Sequence, residues 1–114
     1  MPDFGVTCLH GPKECAGNVH ELCAIKHLEQ NQWWSFLKCL NFEGRNKIGE
    51  PDVALKCAET ANFDWMSSGV GACAGEDGSG KGKEGVLLLQ ESVRANQEMG
   101  IEYVKCQLRK LIDD

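Results

Sequence analysis

The chain has 114 residues, 42% hydrophobic and 25% charged, with a net charge of −5: enough for one small domain, residues 1–114, and too balanced for a disordered chain. The acidic balance comes without a basic stripe or interleaved arginines and aromatics, which argues against a nucleic-acid partner. No apolar run approaches the roughly 20 residues of a membrane span, and the opening "MPDFGVTC" lacks the charged-then-apolar pattern of a secretory signal.

In chain order, the first element begins after the Gly17-Asn18 break. Val19, Leu22, Cys23 and Lys26 recur at i, i+3, i+4 and i+7, and Asn18 is a residue type that caps a first turn. This predicts a helix over residues 18–29. Trp33, Phe36, Leu37 and Leu40 repeat the spacing behind Asn31 and stop before Gly44, a residue suited to a left-handed helix end, which gives a second helix. Pro51 suits a first helical position, and Val53, Ala54, Cys57 and Ala61 then line one face of a third helix over 51–61. Asp64 is placed to cap a short turn carrying Trp65 and Met66. The glycine-rich stretch at about 69–85 predicts a flexible loop. Periodicity resumes from Glu84 to Met99, with Val86, Leu89, Val93 and Asn96 on one side and Gly100 closing it. The tail beyond reads as a strand to Cys106 or as a helix. Period-two alternation is otherwise nearly absent, so the fold class is mainly α: short helices linked by loops, with the cysteines on or beside them.

Seven cysteines, Cys8, Cys15, Cys23, Cys39, Cys57, Cys73 and Cys106, span the chain. Such spacing fits a disulfide framework formed in an oxidising compartment, and an odd number leaves at least one thiol free or paired outside the chain. Closing a loop of ~15 residues is worth about 3 kcal/mol in the chain-entropy model, a large share of a small domain's stability. Other chemistry is less well supported. "GEDGSGK" at 75–81 is followed by Gly82 rather than the Ser or Thr that would hold Mg²⁺, and "GKGKEG" at 80–85 has no strand before it. No nucleotide or other cofactor is therefore expected. His20, Cys23 and His27 share a helical face, with Cys15 or Cys8 near as a fourth donor, a set that zinc would accept. The close C-x₂₋₄-C or H-x₃₋₅-H pairs of structural zinc sites are missing, however. His20 and His27 then read as partly exposed helix residues with no special role, and no resident metal is expected. Thiol oxidoreductases activate their nucleophile in C-x-x-C at a helix N-terminus, and that motif is absent, so no catalytic residue is assigned.

The stretch "CLHGPKECAGNVHELC", residues 8–23, carries a more specific signal. Cys8-Leu9-His10-Gly11-x-x-Glu14-Cys15-x-x-Asn18-x-x-x-x-Cys23 resembles the signature of the gamma-interferon-inducible lysosomal thiol reductase family, C-Q-H-G-x₂-E-C-x₂-N-x₄-C. It departs at Leu9, where the family has Gln, and seven of the eight specified positions agree. The helices that follow, with Cys39, Cys57 and Cys73, look like the family's cysteine-rich helical region. The resemblance implies thioredoxin-like enzymes that reduce protein disulfides in the endosomal or lysosomal lumen or after secretion, using a C-x-x-C upstream of the signature. Here Cys8 follows only seven residues, and the only prolines are Pro2, Pro12 and Pro51, none placed as the cis-proline that faces a thioredoxin dithiol. The expectation is a small disulfide-rich helical domain like the helical insertion of such a reductase, without its catalytic half.

Within it, Cys8, Cys15, Cys23, Cys39, Cys57 and Cys73 are candidates for structural disulfides. His10 and Gly11 read as a tight turn, with Pro12 setting φ and Glu14 favouring the next helix N-terminus. Cys106, flanked by Lys105, Arg109 and Lys110, is the candidate free thiol and a route to a disulfide-linked homodimer. Protein disulfides are the partners that the resemblance implies. The alternatives are a secreted, non-catalytic disulfide-rich binding module and a zinc-stabilised helical domain.

Overall fold

A computed structural model describes residues 4–98, with the side chains of 96–98 left aside. It contains five helices: α1, Pro12–His27; α2, Gln30–Glu43; α3, Pro51–Thr60; α4, Val70–Ala74; and α5, Lys83–Glu98. The described residues contain no strand, so over this range the fold is all-helical. The tail that left strand and helix open lies outside the described residues, as does Cys106.

α1 is the central element and packs against α2, α4 and α5, while α2 packs on α3 and α4 on α5. It starts six residues before the expected Asn18 cap. Gly11, with φ of 95°, precedes Pro12 at the helix start, a backbone conformation open to glycine and strained for any residue with a Cβ. Pro12 has no amide hydrogen to leave unpaired there. Gly17, which looked like a break, is instead a close approach inside the helix: a Cβ there would lie 2.6 Å from Ile48 Cγ2 and 3.3 Å from the Gly49 nitrogen. Packing by the α2–α3 connection therefore outweighs the low helix propensity of Gly17 and Asn18, and Asn18 is buried in mid-helix. α1 ends at His27, where Leu28 turns to extended backbone.

α2 begins behind Glu29 rather than Asn31 and ends at Gly44, with φ of 106°. Its buried face is Phe36, Leu37 and Leu40, with Trp33 packed at the margin. α3 opens with Pro51 and buries Val53, Ala54, Cys57 and Ala58. After it, the Asp64 carboxylate accepts from the amides of Met66 at 3.1 Å and Ser67 at 2.7 Å, which caps the turn at 65–68. These hydrogen bonds hold the exposed Asp64 carboxyl below its ordinary pKa. The turn sets Trp65 into an aromatic cluster with Phe36 and Phe63, with ring centroids 5.4–6.5 Å apart. The indole N–H donates to the Gly75 carbonyl at 3.0 Å, so the ring is buried with its polar atom paired.

The expected flexible loop over 69–85 is the largest departure. Residues 70–74 form α4, in which Val70, Cys73 and Ala74 are fully enclosed, and Gly78, Gly80 and Gly85 are buried as well. Close contact explains these glycines better than freedom of motion: a Cβ at Gly80 would come 2.7 Å from Ala16 Cα. α5 then covers α1 and α4 with Leu89 fully buried, and its Gln90 amide donates to the Phe4 carbonyl at 3.1 Å, tying the N-terminal segment to the helices.

Candidate functional site

Three disulfides organise the helices. Cys8 bonds Cys15 across seven residues, Cys39 bonds Cys57 across 18, and Cys23 bonds Cys73 across 50. The first closes the signature turn, the second joins α2 to α3, and the third joins α1 to α4. In the chain-entropy model these loops are worth about 2, 3 and 4 kcal/mol respectively. Two of the bridges join separate helices, and none of the three has the short C-x-x-C spacing of a redox dithiol.

The signature residues divide into two groups. Cys8, His10 and Gly11 form the turn before α1, where the Gly11 amide donates to the Cys8 carbonyl at 3.0 Å. Glu14, Cys15, Asn18 and Cys23 lie on α1. The exposed His10 imidazole donates from Nδ1 to Glu14 at 2.6 Å, and Glu14 sits in the first helical turn, where a carboxylate complements the helix dipole. Leu9, at the position where this chain departs from the signature, is exposed to solvent. Asn18 and Cys23 instead point into the fold.

The zinc set considered from spacing does not assemble. Cys15 and Cys23 are each bonded to another cysteine, and His20 is fully buried rather than partly exposed. Its Nε2–H donates to the Gly78 carbonyl at 2.6 Å, and its ring meets the edge of Trp65 at 6.0 Å. Burial lowers the imidazole pKa to about 4, only partly opposed by the Gly78 bond, so His20 is neutral near pH 7, and Nδ1 has no hydrogen-bond partner among the described residues. Beside it, Glu21 is almost wholly enclosed, and burial raises its carboxyl to about 7. The helical pattern gave no sign of two adjacent buried titratable groups.

His27 does take part in a cluster, though with other partners. Glu84, at the start of α5, accepts from His27 Nε2 at 2.9 Å and from Lys26 Nζ at 2.8 Å. Those bonds, Lys26 first, hold the Glu84 carboxyl below its ordinary value. His27, Cys73 and Glu84 bring candidate ligand atoms within 4.8 Å of one another. Glu84 and Cys73 lie too far along the chain from His27 for local spacing to reveal this.

Among the described residues, no helix is long and apolar enough to cross a membrane. A family model for "Gamma interferon inducible lysosomal thiol reductase (GILT)" matches residues 1–61. GILT-like protein 1 of Drosophila melanogaster is 29% identical over 97 residues, an alignment covering 75% of this chain and 36% of the relative. The chain thus spans about a third of that relative's length. No solved structure matches. With the family model covering more than half of the 114 residues, the chain belongs to the gamma-interferon-inducible lysosomal thiol reductase family.

Proposed function

We propose that residues 1–114 form one disulfide-stapled helical domain serving a thiol-disulfide oxidoreductase that reduces protein disulfides, and that this chain does not perform the reduction by itself. The observation carrying this reading is that all six described cysteines are committed to bridges with sequence separations of 7, 18 and 50. Reductive exchange needs an accessible low-pKa thiolate and a nearby thiol that resolves the mixed disulfide. Here Cys15, Cys23, Cys57 and Cys73 are buried at 1% exposure or less, and the sequence has no C-x-x-C. In this reading the signature turn, the Cys8–Cys15 bridge and the His10–Glu14 pair fix the start of α1, so their role is architectural. Three disulfides fit a secreted or endosomal and lysosomal setting, because cytosolic thiols are kept reduced.

The test is reduction of an insulin-type substrate by the full chain with a dithiol donor. Turnover should not exceed the donor alone. Sustained turnover that a single Cys→Ser substitution removes would refute the reading.

A further inference from the structure

The Cys23–Cys73 bridge is bordered by two side chains of metal-ligating types, an imidazole and a carboxylate. His27 lies one turn beyond Cys23 on α1, Cys73 comes from α4 and Glu84 from the first turn of α5. One ligand atom each from His27, Cys73 and Glu84 falls within 4.8 Å of the others, and Cys23 Sγ is bonded to Cys73 Sγ at 2.10 Å. Small residues allow the approach: a Cβ at Gly69 would lie 2.9 Å from His27 Nδ1, and one at Gly85 would lie 2.9 Å from Cys23 Sγ.

Two sulfurs, an imidazole and a carboxylate make a four-donor set of the types Zn²⁺ accepts in tetrahedral geometry. While the sulfurs are bonded to each other, neither is a thiolate. We propose that reduction of Cys23–Cys73 opens a Zn²⁺ site formed by Cys23, Cys73, His27 and Glu84. A dithiol reductant supplies two electrons and two protons: its own thiols become a disulfide, and the S–S bond is replaced by two S–H groups. Zn²⁺ then displaces those two protons. Two thiolates and one carboxylate give the bound ion a local charge of −1. Lys26, 2.8 Å from Glu84 Oε2 and half-exposed, supplies a balancing positive charge and can swing toward water when Glu84 turns to the metal. The site also offers a polar bond to two sulfurs that reduction would otherwise leave as buried, unpaired thiols, since both cysteines are fully buried. The same side chains thus form a covalent staple when oxidised and a metal clip when reduced.

Co²⁺ is the probe, added to the full chain after reduction with a phosphine and removal of the excess. The expected result is one equivalent bound with sulfur-to-cobalt charge-transfer absorption, displaced by Zn²⁺ and absent from the oxidised protein. Cys23→Ser/Cys73→Ser should abolish the absorption, whereas Cys39→Ser/Cys57→Ser should retain it. His27→Gln keeps every cysteine and should weaken binding by at least about tenfold, with the far-ultraviolet helical signal unchanged. Absence of the absorption in the reduced chain, its persistence in Cys23→Ser/Cys73→Ser, or equal affinity in His27→Gln would overturn the proposal, the last because a chain binding through loose cysteines would ignore His27.

Discussion

Replacing Glu21 with Gln should change the pH dependence of stability more than any surface substitution. Burial raises the carboxyl from an ordinary 4.5 to about 7, so the folded state holds its proton where the unfolded chain has lost it. Stability from this group is therefore fully present below about pH 4.5 and is lost as the pH rises through about 7. At about 1.4 kcal/mol per pH unit, the loss reaches about 3 kcal/mol. His20 acts in the opposite sense: its folded pKa of about 4 against an ordinary 6.5 removes stability as the pH falls from about 6.5 to about 4. Between about pH 4.5 and 6.5 the two slopes oppose each other, so their joint contribution in the native chain is nearly flat. Glu21→Gln leaves His20 alone, and the variant should gain about 3 kcal/mol relative to the native chain between pH 4.5 and pH 7.5, on top of any constant cost of burying the amide. Urea unfolding at fixed ionic strength over that range measures the difference. A difference between the two chains that does not change with pH would refute the burial argument for Glu21.

The disulfides should rank by loop length: Cys23→Ser/Cys73→Ser should destabilise most, by about 4 kcal/mol, and Cys8→Ser/Cys15→Ser least, by about 2 kcal/mol, read as shifts in denaturant midpoint. Gly85→Ala should cost about 1–3 kcal/mol by overpacking, because its Cβ would fall 2.7 Å from the Cys73 carbonyl oxygen and 2.9 Å from Cys23 Sγ; a thermal melt checks this. Cys106→Ser should abolish covalent dimers on a non-reducing gel while leaving the melting temperature nearly unchanged. A drop as large as that from removing Cys15 or Cys23 would identify Cys106 as a structural staple.

Helical segments were legible where one face alone met the core. Phe36, Leu37 and Leu40 on α2, and Val53, Ala54 and Cys57 on α3, keep helical spacing because each helix buries a single stripe. α1 was harder to bound, since it is buried over most of its circumference from Cys15 to Ala24, and periodicity fades when nearly every position is enclosed. The glycine-rich region misled for a related reason: local sequence reports that glycine can bend, and says nothing about the neighbour that requires its lack of a side chain. Gly80 against Ala16 and Gly85 against Cys23 are long-range contacts. The signature identified the family because it is contiguous. The pairing of Cys23 with Cys73, and the meeting of His27 with Glu84, depend on how three helices pack, which no local motif records.

Peptide mapping of the non-reduced, alkylated protein tests the central claim, that a stapled helical scaffold underlies this family member. It should recover Cys8 linked to Cys15, Cys23 to Cys73 and Cys39 to Cys57, with Cys106 either alkylated or linked to a second chain. A crossed pairing such as Cys15 with Cys23, or alkylation of all seven cysteines in the folded, air-oxidised protein, would contradict it.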